Sequence, residues 1–195
     1  YNFIPKDELQ RIVDAAEKKL AEEMPHEQLS FYDIYPGKIA PVLLPADNKL
    51  VADAMRWGYP HWKPKERPLQ NTRLETAATS NFWKDSLASR RCIIPATGFY
   101  EWVGENGKKV EFYFSKEGAS ILYIAGIYKL FAQTAGPPLR HYSMITTVPN
   151  KSVAGVHDRM PLVMMKDEIK IWLSSDYMQL ASREHIILNS ELKKK

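Results

Sequence analysis

Three stretches of the chain set reactive side chains in turn or strand contexts. The first is Asn71-Thr72-Arg73-Leu74-Glu75-Thr76. Its amide can orient an amine or a carbonyl, and its guanidinium offers a fixed fork for phosphate. It follows a proline-rich stretch, Lys63 to Pro68, so it reads equally as a capped loop entering a helix over Ser80–Ala88. The second runs from Arg91 to Trp102. On a strand of period two, Glu101 shares a face with the apolar Phe99 and Val103. A carboxyl there is either paired or has a raised pKa suited to general acid/base work. The alternative is an edge-strand glutamate facing solvent. Tyr100 and Trp102 take the opposite face, where rings can stack on bases. The third, Gly155-Val156-His157-Asp158-Arg159-Met160-Pro161, groups an imidazole, a carboxylate and a guanidinium just ahead of a strand. Histidine titrates near neutrality and can shuttle protons, although a lone histidine is as readily structural.

Two further residues have open readings. Trp57, in Met55-Arg56-Trp57-Gly58-Tyr59-Pro60, is either core packing or part of a nucleic-acid surface. Cys92, inside the apolar run Cys92-Ile93-Ile94, is expected to be a buried, inert thiol and not a nucleophile. Standard nucleotide loops, H-E-x-x-H and the G-x-S-x-G elbow are absent. The five histidines, His26, His61, His141, His157 and His185, are scattered, so neither a metal nor another cofactor is expected.

The elements that must position these residues follow from periodicity. Leu9, Ile12, Val13, Ala16 and Leu20 recur at helical spacing, with Pro5 before them and Met24-Pro25 after. Strands are expected at Lys38–Leu44 and Leu50–Arg56 around a turn at Pro45-Ala46-Asp47-Asn48. A hairpin joins Gly98–Val103 to Val110–Ser115 through Asn106-Gly107. Ile121–Leu130 reads as a central strand, His141–Val148 and Pro161–Met165 as two more, and Lys166–Leu173 as a helix. Many short strands without regular βαβ alternation indicate an α+β or β-rich fold, not a doubly wound sheet.

The 195 residues suit a single domain, 1–195, with a basic tail at 193–195. Lys plus Arg number 27 and Asp plus Glu 23, a net charge of +4. Three of the positives are Lys193, Lys194 and Lys195, leaving 4 − 3 = +1 on the body, so bulk charge does not signal nucleic acid. One cysteine excludes an internal disulfide and a Cys-rich zinc site. No apolar run approaches the ~18–20 residues of a transmembrane helix and no signal peptide opens the chain, so a cytoplasmic protein without membrane contact is expected. Translation does not start at tyrosine, so residues ahead of Tyr1 are expected.

Taken in order, Tyr35-Pro36-Gly37, Met55-Arg56-Trp57-Gly58, Asn71 to Thr76, Arg91-Cys92, Gly98-Phe99-Tyr100-Glu101-Trp102 and His157-Asp158-Arg159-Met160-Pro161 resemble the motifs of the SRAP family (SOS response-associated peptidase) from about Tyr32 to Leu173. The resemblance implies a monomeric protein that binds single-stranded DNA at abasic sites, nucleoid-associated if bacterial. It also implies a bifurcated, strand-rich sheet with barrel-like character, surrounded by a few helices. In that family an N-terminal cysteine condenses with the ring-opened sugar aldehyde and closes a thiazolidine, a stable DNA–protein crosslink. Peptidase activity would at most be the self-processing that exposes the cysteine. By matching motifs, Asn71 would position the terminal amine, Glu101 would be the acid/base, and His157 would assist opening of the deoxyribose ring. Arg73 and Arg159 would hold flanking phosphates, and Trp102 and Trp57 would stack on bases. The defining cysteine is not among the 195 residues and is expected just upstream of Tyr1.

Overall fold

The apolar recurrence between Leu9 and Leu20 lies on α1, Lys6–Glu23, in the computed structural model of the chain. The structure describes residues 6–47, 49–63, 65–105, 108–133 and 136–193. Pro5, Asn48, Asn106, Gly107, Lys194, Lys195 and Tyr1, named above, lie outside the described residues. α1 stops before Met24-Pro25, where the proline ring steers its predecessor out of helical geometry. Ala16 and Leu20 pack on Ile39, Ala54 and Leu139. A buried carboxylate fixes how α1 sits. Asp53 Oδ2 lies 2.7 Å from Lys19 Nζ and 3.3 Å from Arg140, and Oδ1 accepts the Ala54 N–H at 2.7 Å. Removing either cation leaves a buried charge short of partners, which costs several kcal/mol.

Five strands close into a ring. β1 (Ile39–Ala46) pairs with β2 (Lys49–Trp57) over its full length, and Leu43 of β1 pairs with Ile93 of β4 (Arg91–Ala96). β4 pairs with β7 (Leu122–Phe131), and β7 pairs with β8 (Leu139–Thr147). The ring closes where Arg56 and Trp57 of β2 run parallel to His141 and Tyr142 of β8. β7 is central, as its continuous apolar run indicates. Alternate residues of these strands feed different cores, because side chains on a strand point to opposite faces. Val42, Met55, Cys92, Ile94 and Ile124 pack with Phe99 and Phe114. Leu43, Ile93, Ala125 and Ile127 pack beneath the helical residues Leu74, Leu87, Ile169 and Trp172. The fold is α+β and strand-rich, as expected.

A second sheet has three strands. β5 (Phe99–Glu105) pairs with β6 (Lys108–Ser115), which pairs with β11 (Asn189–Leu192). Phe99 and Phe114 stack with ring centroids 5.2 Å apart and bind this sheet to the ring. Gly98, at the root of β5, admits no side chain: a Cβ there would lie 2.3 Å from the Phe114 carbonyl oxygen and 2.6 Å from the Tyr113 hydroxyl.

Several elements differ from the sequence expectation. Asn71–Arg73 is a strand, β3, running parallel to β8, and not a loop. Thr72 turns inward and shares a 2.8 Å hydroxyl hydrogen bond with Ser143. The helix expected over Ser80–Ala88 is shorter, α3 (Lys84–Ser89), and a separate helix that was not expected, α2 (Leu74–Thr79), precedes it. Pro161–Met165 is two short strands, β9 (Met160–Pro161) on β8 and β10 (Val163–Met164) on β7. Leu162, between them, donates its N–H to Ile145 and accepts from Ala125, so one segment bridges two strands of the ring. The helix over Lys166–Leu173 is a 3-10 turn, Lys166–Glu168, followed by α4, Ile169–Trp172.

Candidate active site

His157 ends a coiled turn between β8 and β9, held from inside by its neighbours. Val153 is fully buried, and the His157 N–H donates to the Val153 carbonyl at 3.1 Å. The buried Asn150 donates Nδ2 to the Arg183 and Ile186 carbonyls and accepts the Ser152 N–H at 3.0 Å. The turn therefore cannot shift without breaking buried hydrogen bonds, each costing about 1–3 kcal/mol when a partner is left unsatisfied. The backbone N–H of Arg159 donates to His157 Nδ1 at 3.1 Å. The Arg159 carbonyl oxygen lies 3.2 Å from the same nitrogen, so Nδ1 is held against the Arg159 backbone and Nε2 faces Glu101 Oε2 at 3.8 Å. Asp158 Oδ1, 3.2 Å from Nδ1, adds a partner for the protonated ring.

Glu101 projects from β5, where its pairing with Phe112 of β6 sets its register. Its side chain is 18% exposed. Burial pushes the carboxyl up from the ordinary 4.5 to about 7; the His157 charge opposes the rise and the Asp158 carboxylate adds to it. A carboxyl that takes and gives a proton near neutrality, beside an imidazole, is the arrangement general acid/base chemistry requires. This is the paired, raised-pKa alternative of the sequence reading, not the solvent-facing one.

Asn71 and Arg73 lie on the exposed face of β3, on either side of the buried Thr72. Neither side chain has a hydrogen-bond partner among the described residues. β3 leads straight into α2, whose first turn carries Glu75. Arg159 is committed elsewhere than the motif suggested. It donates Nη1 to Glu75 Oε1 at 2.8 Å and Nη2 to Oε2 at 3.1 Å, and Nη2 also donates to the Thr146 carbonyl at 2.9 Å. Burial raises the Glu75 pKa, but the Arg159 hydrogen bond, its own backbone N–H and the charges of Arg159 and Arg73 hold it below the ordinary range. The structure thus links Glu75, Arg159, His157 and Glu101 in one chain of contacts. Glu75 lay in a motif, but its partnership with Arg159 left no signal in the sequence.

The tryptophans divide. Trp102 is 44% exposed on β5, on the face opposite Glu101. Trp57 is half-buried, donates its indole N–H to the Gln70 carbonyl at 2.9 Å and lies parallel to Tyr142 with centroids 6.2 Å apart. It supports the backbone just ahead of Asn71, which is the core-packing reading. Trp62 has the exposure that stacking requires, at 67%, and its ring lies 4.1 Å from that of His61. Cys92 is fully buried, and burial pushes its thiol well above its ordinary range, so it has no nucleophilic character. Among the described residues no three His, Cys, Asp or Glu side chains group so as to hold a metal ion, and no helix is long and apolar enough to cross a membrane.

A ring-like sheet with an attached three-stranded sheet, and a carboxyl–imidazole pair between them, defines a strand-rich α+β protein with a candidate acid/base site. The fold matches solved structures. A protein from Bordetella bronchiseptica aligns with a TM-score of 0.70 at 21% identity, covering 93% of this chain and 97% of that one. One from Bacteroides thetaiotaomicron aligns with a TM-score of 0.70 at 22% identity, covering 81% and 75%. The family model for the SOS response associated peptidase (SRAP) matches residues 2–194, and the chain belongs to that family. It is 32% identical over 158 residues to the abasic site processing protein YoaM of Bacillus subtilis, covering 76% of this chain and 70% of that protein. It is 30% identical over 151 residues to the abasic site processing protein YedK of Escherichia coli, covering 77% and 67%. With the abasic site processing protein HMCES of Xenopus tropicalis it is 29% identical over 192 residues, covering 80% of this chain and 57% of that protein.

Proposed function

We propose that this protein processes abasic sites in single-stranded DNA by forming a covalent crosslink to the ring-opened sugar, with Glu101 and His157 as its proton-transfer pair. The observation that carries the reading is the 3.8 Å approach of His157 Nε2 to a Glu101 carboxyl that titrates near 7. The abasic site processing relatives support the substrate.

The chemistry needs a 1,2-aminothiol, the role of an N-terminal cysteine in this reading; buried Cys92 cannot supply it. The α-amine adds to the sugar aldehyde carbon, and loss of one water leaves an imine. The thiol sulfur then adds to the imine carbon and its proton passes to nitrogen, closing the thiazolidine with no change in oxidation state. His157 moves the proton that opens the deoxyribose ring, and Glu101 relays protons at the carbinolamine and the imine. Both nucleophiles sit on one residue, so ring closure gains the proximity advantage of an intramolecular step. Asn71 orients the amine, exposed Arg73 meets a flanking phosphate, and exposed Trp102 stacks on a base. Peptidase chemistry is confined to the self-processing that bares the cysteine, and the protein acts as a monomer.

The test is incubation of the full-length mature protein with an abasic single-stranded oligonucleotide. A denaturation-resistant adduct that forms without borohydride, and that Glu101→Gln slows, is the expected result. Binding of the oligonucleotide without any adduct overturns the covalent reading and leaves a non-covalent single-stranded DNA module.

A further inference from the structure

We propose that Glu75 is a positioning residue for His157, acting through Arg159. The inference rests on the proton-transfer role given to His157 above.

Arg159 does two jobs with one residue. Its backbone N–H holds His157 Nδ1 at 3.1 Å, and so sets the direction in which Nε2 points. Its guanidinium is gripped by both Glu75 oxygens, at 2.8 and 3.1 Å, and donates to the Thr146 carbonyl at 2.9 Å. That side chain is only 14% exposed, and its Nε has no hydrogen-bond partner among the described residues. The Glu75 side chain is itself 57% exposed, so without it water reaches the Nη atoms but supplies neither the counter-charge nor the bidentate fork. The guanidinium is then free to turn toward solvent, and residue 159 moves with it. Such a move displaces the N–H that orients the imidazole.

Glu75 suits the task because its own base is rigid. Its neighbours Leu74 and Ala77 on α2 are buried in the core beside Leu87 and Trp172. The grip is bidentate, which fixes the plane of the guanidinium as well as its distance; a single exposed contact would fix neither. The pair joins the segment bearing Asn71 and Arg73 to the one bearing His157, so the elements of the site hold a common geometry. It also leaves Arg159 little free capacity for a phosphate, and that contact falls to Arg73.

The experiment uses the full-length protein and its Glu75→Ala and Glu75→Gln variants. Long-range ¹H–¹⁵N spectra of the histidine side chains, recorded without DNA, report the His157 tautomer. Adduct formation with abasic single-stranded DNA at saturation, and affinity for the same strand without a lesion, report the two halves of function. The parent shows a single dominant tautomer at His157. Glu75→Ala gives averaged ring nitrogens and an adduct rate about tenfold lower, since small misplacements of a catalytic group are costly, with lesion-free affinity not lowered. Glu75→Gln, which still accepts from the guanidinium, recovers most of both. Should Glu75→Ala not fold, Arg159→Lys keeps the charge, loses the fork and carries the same expectation for the ring nitrogens and the adduct rate. Unchanged His157 nitrogens, or a loss confined to lesion-free affinity, overturns the proposal. A shifted imidazole in a protein whose parent makes no adduct upholds the positioning and overturns the crosslinking function.

Discussion

His157 Nε2 and Glu101 Oε2 approach to 3.8 Å across the junction of two sheets. Glu101 belongs to the three-stranded sheet, and His157 to the turn between two strands of the eight-stranded one. Each side chain is held by its own framework, so the pair is set by how the sheets dock. Replacing Glu101 by Gln keeps the shape and removes the proton carrier. The adduct rate with abasic single-stranded DNA is expected to fall about 10²–10⁴-fold, the usual worth of general acid/base catalysis, with lesion-free binding retained. Single-turnover kinetics alongside fluorescence anisotropy checks both halves.

The same substitution is expected to stabilise the fold above neutral pH. Unfolded, Glu101 titrates near the ordinary 4.5; folded, it titrates at about 7 because burial disfavours its charge. A raised pKa contributes stability that is whole below the unfolded value and is lost as pH rises through the folded one. Glu101→Gln abolishes that loss. Its advantage over the parent is near zero at about pH 4 and grows to the order of 2–3 kcal/mol by about pH 8. Denaturant unfolding at the two pH values measures it; an advantage of equal size at both would rule the explanation out.

Trp102 and Trp57 are expected to fail in different ways when cut to alanine. Trp102 is exposed, so its loss lowers single-stranded DNA affinity by about 1–3 kcal/mol with little change in melting temperature. Trp57 spans the Gln70 carbonyl and the Tyr142 ring, so its loss destabilises the fold by roughly 3–5 kcal/mol. Thermal melts and binding isotherms on both variants separate the two roles.

Arg73 has an exposed side chain without a hydrogen-bond partner among the described residues. Arg73→Gln is expected to weaken DNA binding uniformly across sequences and to reduce the slope of log affinity against log salt by about one. An unchanged slope would mean that Arg73 touches no phosphate.

Cys92 lies against Gly126, where even a Cβ would come within 2.8 Å of its sulfur. Cys92→Ala is expected to leave adduct formation unchanged, because the fully buried thiol takes no part in it. Loss of the adduct in this variant, with the fold intact by circular dichroism, would make Cys92 the nucleophile instead.

Residue chemistry and local period determined much of this protein directly. The apolar spacing from Leu9 to Leu20, the alternation around Glu101 and the run ending at Leu130 each carry their element in a few neighbouring side chains. The candidate residues Asn71, Glu101 and His157 were legible from type and setting. What the sequence could not carry was every feature made by distant segments meeting. Asn71–Arg73 is too short to announce itself as a strand and exists because β8 offers it an edge. Pro161–Met165 reads as one strand, yet the segment divides into two, because two strands of the ring lie on either side. Arg159 reads as a free phosphate fork until Glu75, on another element, occupies it. Trp57 and Trp102 are chemically alike in the sequence and differ only in what surrounds them. Hydrogen-bonding capacity and hydrophobicity belong to each residue; burial, pairing and the pKa of Glu101 belong to its neighbours, and only the tertiary fold chooses those.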